Sequence, residues 1–327
     1  MRMIKIYQTV KNSVVMLDEP SFDTWIEIIS PTEEDIKGLE KLVEIDEDII
    51  RSIRDYDEVP KMEKYDGYDF ILLQTPKVTV DKDDEDDDDD DEVYYKYSIA
   101  PLGIIFRSNL IITISEGRND VTHYLRTKLK NFPKNKIIDT SDIAQFVLKM
   151  LLFTSKIYLR DLKAINQKMR QVQRNLELKP KNEEIMHLMD LQKSIVYFNM
   201  ALSSNQIVVE KIAKRKFFNS SEDNEDLLED IMDENRQAIS TVKIYSQIIS
   251  STSGTFTSII SNNLNVTLRF LTVLTIIIMI PTLVASVYGM NIKLPFQDLP
   301  YAFTIVIMIS LALALSGAFW FYRKKLF

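Results

Sequence analysis

The sequence predicts an α+β, mainly helical fold: an N-terminal α/β domain, a run of long helices and two C-terminal transmembrane helices. Three observations predict it. Strand-like and helix-like pieces alternate over residues 1 to about 138. No glycine occurs between Arg118 and Gly254, and beyond Pro133 that range holds one proline, Pro180. Two uncharged apolar runs, residues 270–288 and 299–322, close the sequence.

In the first part, Met3-Ile4-Lys5-Ile6-Tyr7, Thr24-Trp25-Ile26-Glu27-Ile28-Ile29, Asp69-Phe70-Ile71-Leu72-Leu73, Gly103-Ile104-Ile105-Phe106 and Leu110-Ile111-Ile112-Thr113-Ile114 read as strands bounded by turn residues. Pro31-Thr32-Glu33-Glu34 starts a helix, with Ser30 as its expected N-cap and acids in the first turn. Residues 81–92 hold eleven acids and one lysine, a net of −10 against −8 for all 327 residues, so everything else carries +2. Flanked by Val78-Thr79-Val80 and Val93-Tyr94-Tyr95-Lys96-Tyr97, this run reads as a hairpin loop. Like charges repel and stay solvated, so a disordered loop is one reading and a weak collector of divalent cations the other.

From Ser141 the pattern becomes helical. Thr140-Ser141-Asp142 can cap a helix carrying Ile143, Phe146, Val147, Met150 and Leu151 at helical spacing. Lys179-Pro180-Lys181-Asn182 is the natural first break and Asn219-Ser220-Ser221-Glu222-Asp223 the second. A third helix begins near Glu225 and meets no strong breaker before Tyr288, because Gly254 alone costs only about 1 kcal/mol relative to alanine. At 1.5 Å per residue it would be roughly 95 Å long, a stalk rather than part of a globule. Leu228, Ile231, Asn235, Ala238, Val242, Tyr245 and Ile249 recur at three- and four-residue spacing, a seam for a coiled coil or for the chain's other long helices.

Each terminal apolar run is near the ~20 residues that cross a ~30 Å hydrocarbon core. Tyr288, Tyr301, Trp320, Phe321 and Tyr322 lie at the ends, where amphipathic aromatics settle at headgroups. Arg323, Lys324 and Lys325 follow the second run at once, so the positive-inside rule puts the C-terminus in the cytoplasm and the linking loop outside. Two spans return the chain to its starting side, so the N-terminal part is expected to be cytoplasmic too, and residues 1–10 show no signal-peptide core. Zero cysteines excludes a disulfide framework. The expected layout is thus 1–138 cytoplasmic α/β domain, 139–264 long-helix stalk, 265–288 first span, 289–300 outer loop, 301–322 second span and 323–327 basic tail, in a multi-pass protein of the cell membrane.

The first span has one polar face. Asn265, Leu268, Thr272, Thr275, Met279, Thr282 and Ser286 fall in a narrow arc, while Val273, Leu274, Ile277, Ile278 and Val284 lie opposite. One reading is ordinary helix packing through small hydroxyls. The other is a pore wall: two spans cannot enclose a channel, so several copies would ring an axis, with Leu268 and Met279 as constrictions that gate by dewetting. Pro281 can kink this helix. An enzyme is not indicated: only His123 and His187 occur, without cysteine, nucleophile elbow or metal-hydrolase spacing. No Walker-type glycine loop is present, nor a basic patch with interleaved aromatics, so nucleic acid is not an expected partner.

Tyr288-Gly289-Met290-Asn291, set between two terminal spans after a long stalk helix, resembles the CorA family of divalent-cation channels. Pro60-Lys61-Met62-Glu63-Lys64-Tyr65 followed by Tyr68-Asp69-Phe70-Ile71 resembles that family's N-terminal domain. The resemblance implies a funnel-shaped homopentamer surrounded by membrane lipid, with a stalk-plus-pore helix and the second span as outer ring. It implies uptake of Mg²⁺, with Co²⁺ and Ni²⁺ as lesser substrates, driven by the membrane potential. Mg²⁺ keeps its waters, so a filter of neutral oxygens suits it. Asn291 and the Gly289 carbonyl would accept hydrogen bonds from ion-bound water, and Met290 would support the loop. The resemblance further implies closure when cytoplasmic Mg²⁺ binds between subunits. Asp230 is the stalk acid expected there, with Glu229 and Asp226 as near alternatives. Asp48, Asp55 and Asp57 are candidate partners, and Ser52 is the aligned position. The chain departs from some members after the motif: Ile292-Lys293-Leu294-Pro295-Phe296-Gln297-Asp298 has no glutamate. A Zn²⁺ transporter of the same fold and a membrane-anchored coiled-coil scaffold are the rival readings.

Overall fold

The computed structural model describes residues 3–10, 13–40, 43–81, 94–130, 139–178, 182–291, 295 and 301–324. It comprises two compact units, Met1–Thr252 and Ser253–Phe327. The acidic run beyond Asp81 and the expected break at Lys179, Pro180 and Lys181 lie outside the described residues.

In chain order the elements are β1 (Met3–Val10), β2 (Ser13–Leu17), β3 (Thr24–Ile29), α1 (Glu33–Glu40), α2 (Glu47–Arg54), β4 (Lys61–Tyr65), β5 (Tyr68–Asp81), β6 (Tyr94–Arg107), β7 (Leu110–Ser115), α3 (Asp120–Lys130), α4 (Ile143–Leu178), α5 (Asn182–Ala213), α6 (Glu222–Tyr288) and α7 (Ala302–Arg323). The mainly helical α+β architecture expected from the sequence is thus what the chain adopts.

The strands form one sheet in the order β2-β1-β3-β7-β6-β5-β4. Every described pairing is antiparallel except β3 with β7, where Thr24 pairs with Leu110 and Ile29 with Ser115. Alternation along the strands sorts side chains onto two faces. Phe70 and Leu72 join Ile26, Ile28, Ile112 and Ile114 in a core with Ile49, Ile50 and Ile53 of α2 and Leu39 of α1. Ile71 and Leu73 join Trp25, Ile104 and Ile111 in the opposite core with Phe146, Val147 and Met150 of α4 and Val208 and Ile212 of α5. Both faces are covered, so the central strands read as near-continuous apolar runs. Trp25, fully buried, stacks on Tyr7 at 5.1 Å and meets Phe146 at 5.4 Å. Its indole N–H donates to Thr113 Oγ1 at 2.9 Å, satisfying the one polar atom it brings into the core.

Polar bonds also hold helices to the sheet. The Gln74 carbonyl accepts from Tyr158 of α4 at 3.0 Å and from Asn205 of α5 at 2.7 Å, and the Gln74 N–H donates to Asn205 Oδ1 at 3.1 Å. All three residues are buried, where an unmade hydrogen bond would cost about 1–3 kcal/mol.

Caps explain where the helices start. Asp142 accepts from the Gln145 N–H at 2.9 Å and opens α4, as expected. For α1 the expected cap Ser30 is replaced by Thr32. Thr32 Oγ1 accepts from the Asp35 N–H at 3.3 Å, and Asp35 Oδ2 accepts from the Thr32 N–H at 2.9 Å, a reciprocal capping box. Ser30 sits instead at φ 53° with its N–H on the Ser115 carbonyl, so it still belongs to the end of the β3–β7 ladder. Ser221 caps α6, which begins at Glu222, three residues before the expected Glu225. The seam of α6 is consumed inside the chain: Leu228, Ile231, Asn235, Ala238, Val242 and Ile249 are buried and Tyr245 half-buried. Asn235 donates to Gln206 of α5 at 2.6 Å, and Gln173 of α4 donates to Thr252 at 2.7 Å.

Gly103 shows how closely α2 lies on the sheet. A methyl group there would sit 2.4 Å from Ile53 Cδ1. Gly103→Ala should therefore destabilise by about 1–3 kcal/mol through overpacking. The double variant with Ile53→Val should recover part of that loss, as a double-mutant cycle by denaturant unfolding would report.

Candidate functional site

In the unit Ser253–Phe327, two helices are long and apolar enough to cross a membrane: the C-terminal part of α6, with mean hydropathy 2.4 over its best window, and α7, with 2.1. They meet along one stripe. On α6, Val273 is buried and Ile277, Ile280 and Val284 are half-buried, recurring at four and three residues. On α7 the less exposed positions are Ile305, Val306, Ser310, Ala314, Gly317, Ala318 and Phe321, four of which are small. A methyl group on Gly317 would stand 3.3 Å from Ile280 Cδ1, so the lack of a side chain there sets how near the helices come.

That contact orients the polar face. At 100° per residue the centre of the stripe facing α7 lies about 140° from the centre of the arc holding Asn265, Leu268, Thr272, Thr275, Met279 and Thr282. All six are exposed in the single chain. Thr272 Oγ1 donates to the Leu268 carbonyl at 2.8 Å, Thr275 Oγ1 to Leu271 at 2.8 Å and Thr282 Oγ1 to Ile278 at 3.0 Å. Pro281 is accommodated within α6 without ending it.

The helix ends where the motif begins. The Gly289 N–H donates to the Ala285 carbonyl at 2.9 Å, and the Met290 N–H to Val287 at 3.2 Å, a tightening from four-residue to three-residue spacing. A methyl group on Gly289 would lie 3.3 Å from the Ala285 oxygen, so this turn is tight for any larger residue. Gly289, Met290 and Asn291 are exposed. They sit at the C-terminal end of α6, where the helix dipole places about half a negative charge. The Tyr288 hydroxyl donates to the Pro295 carbonyl at 3.1 Å, tying the following segment to the helix end. No sequence signal announces this bond. Lys293 and Asp298 lie outside the described residues.

Away from the spans, Asp230, Glu229 and Asp226 are exposed on α6. Asp48, Asp55 and Asp57 are exposed in and after α2, and Ser52 is buried. Among the described residues no group of three or more histidine or carboxylate side chains stands close enough to hold a metal ion. Asp230 therefore belongs to no such cluster among the described residues. His123 Nδ1 lies 2.7 Å from Arg126 Nη2, and Arg126 bridges to the buried Glu27 at 2.8 Å. Burial, and then the charges of Arg118 and Arg126, lower the His123 pKa, so this imidazole serves the α3–β3 junction as a neutral group.

Tyr288→Phe removes one hydroxyl and little packing. Amide exchange at Met290 and Asn291 should quicken several-fold while global stability falls by no more than about 1.5 kcal/mol.

A family model described as CorA-like Mg²⁺ transporter protein matches residues 24–323. The cobalt/magnesium transport protein CorA of Methanocaldococcus jannaschii is 24% identical over 98% of this chain and 99% of its own. That of Thermotoga maritima is 21% identical over 96% and 86%. The complete structure of the CorA magnesium transporter from M. jannaschii superposes with a TM-score of 0.78 at 21% identity, covering 98% of each chain. The match runs from the third strand of the sheet to the end of the second apolar helix, so the chain belongs to the CorA-like Mg²⁺ transporter family, a family of membrane transport proteins rather than enzymes.

Proposed function

We propose that five copies of this chain form a pore for passive, membrane-potential-driven uptake of hydrated divalent cations: Mg²⁺, and also Co²⁺ and Ni²⁺. One observation carries the reading. The polar arc of α6 points away from α7 and ends in Gly289-Met290-Asn291. Among the described residues of the unit, α7 lies on the back of α6 and leaves Asn265, Thr272, Thr275 and Thr282 exposed. A ring of copies gives that face a watery axis and puts α7 on the outside, against lipid. The names of the M. jannaschii and T. maritima relatives support Mg²⁺ and Co²⁺ as cargo.

In this reading residues 1–138 and 139–264 are cytoplasmic, 265–288 and 301–322 span the cell membrane, 289–300 form the outer loop and 323–327 a cytoplasmic tail. Gly289, Met290 and Asn291 form the outer filter. The Asn291 amide oxygen and the Gly289 carbonyl accept hydrogen bonds from water still bound to the ion, and Met290 shapes the loop. The negative end of the α6 dipole adds attraction at the same place. Leu268 and Met279 narrow the bore between polar levels. A potential of 100 mV supplies ~2.3 kcal/mol per charge, doubled for a divalent ion, so no nucleotide is needed.

Asn291→Ala should lower Mg²⁺ flux into proteoliposomes at least tenfold with assembly intact. A scaffold would be indifferent to this change, and Zn²⁺ run in the same assay separates a zinc carrier from a magnesium one. Asp230 is proposed as a ligand of an inhibitory Mg²⁺ held between subunits. Its exposure on α6, and the lack of any three-ligand cluster among the described residues, support a site completed by a neighbour. Asp230→Asn should shift inhibition by internal Mg²⁺ to several-fold higher concentration, and an unchanged inhibition curve would remove Asp230 from that role.

A further inference from the structure

We propose that the groove between α4 and α6 binds a metal-free triphosphate, carried by a nucleoside or as inorganic tripolyphosphate. The site lies within the N-terminal unit and does not depend on the pore reading. The groove encloses about 470 Å³, the size of a small-ligand site. Lys163 and Arg170 of α4 bring two cations into it. Asn166, Gln167 and Gln237 add amides, and Thr241 and Tyr245 of α6 add hydroxyls. Lys156 meets Glu234 at 3.7 Å and Gln173 meets Thr252 at 2.7 Å, so the two helices run parallel in near-constant register. That register sets Thr241 level with Lys163, and Tyr245 level with Gln167, between the two cations.

The lining residues carry two positive charges and no negative one. Their surroundings do not balance this. Between Asp161 and Glu177, α4 has four basic residues and no acid, and α6 has no acid after Glu234. Among the described residues neither Lys163 nor Arg170 pairs with a carboxylate. Like charges along one groove repel, and a bound anion relieves that. The whole chain carries −8, so the attraction is local to the groove. Every polar lining group can donate a hydrogen bond, which suits phosphate oxygens, and the Arg170 fork can hold two of them at once. Lys163 and Arg170 are seven residues apart, about 10.5 Å along the helix. A single phosphate meets one of them, and three linked phosphates meet both. No carboxylate lines the groove to hold a metal, and Mg²⁺ would occupy the same phosphate oxygens, so the metal-free form is the ligand. The half-buried Tyr245 supplies a ring on which a nucleobase can stack.

The test titrates the full chain in detergent with ATP, tripolyphosphate or orthophosphate by calorimetry, in EDTA. ATP and tripolyphosphate should bind saturably, with orthophosphate at least tenfold weaker. Lys163→Gln and Arg170→Gln change exposed side chains, and each should weaken binding about tenfold, the loss of one charge-assisted hydrogen bond. Lys193→Gln, on the exposed face of α5, should leave the affinity unchanged. Mg²⁺ in excess over ATP should weaken ATP binding several-fold. ATP tighter than tripolyphosphate, with the advantage erased by Tyr245→Leu, assigns the site to a nucleotide; equal affinities assign it to the inorganic chain. The proposal is overturned if neither triphosphate binds, if the Lys163 and Arg170 variants bind like wild type, or if Lys193→Gln weakens binding as much as they do. Orthophosphate as tight as ATP, or an ATP affinity that Mg²⁺ does not move, overturns it as well. Each of these outcomes leaves the pore reading standing, because that is tested by flux.

Discussion

Inside hydrocarbon a polypeptide must satisfy its own polar groups, because no water is there to do it. Much of the C-terminal unit follows from that constraint. It makes the two apolar runs helices. The threonine protons of the polar arc go back to carbonyls of the same helix. It also leaves α7 without a strong hydrophobic reason to hold α6, since lipid is as apolar as leucine. Close approach must do that work, and Gly317 against Ile280 together with Ser310 and Ala314 supplies it.

The N-terminal unit is organised around its packed sheet instead. Its sheet buries both faces, so its middle strands contain few polar residues, and these make hydrogen bonds although Glu27 and Gln74 each keep one buried oxygen without a partner. Trp25 to Thr113 and Gln74 to Asn205 are examples. Glu27 enters the core only with Arg126 beside it, and one of its oxygens still lacks a partner. A charge pair of this kind returns little net stability but is costly to break.

The helices were the legible part of the fold, for a plain reason: almost 140 residues without glycine leave the chain few places to stop. The polar arc and the Tyr288-Gly289-Met290-Asn291 turn were legible too, since one depends on 100° periodicity and the other on local order. Strand order was not. That β3 pairs parallel with β7, rather than with a neighbour in sequence, follows from tertiary packing that no window of residues contains. Ser30 and Thr32 are both good capping residues, and the choice fell to whether the preceding strand needed one more ladder bond. The hydroxyl of Tyr288 has the same character: its partner, the Pro295 carbonyl, lies seven residues on, beyond any local pattern.

The parallel seam carries a consequence for how the chain is made. Thr24 to Ile29 must wait for Leu110 to Ser115 before the middle of the sheet can close. At a ribosomal pace of about 5–20 residues per second, that is a delay of roughly 4–17 s. During it the hairpin of β1 and β2 with β3 has one long, oily side unclaimed. The nascent protein is thus vulnerable to sticking to its neighbours before its two long apolar helices have been synthesised, and it is the sheet that would need a chaperone's shelter.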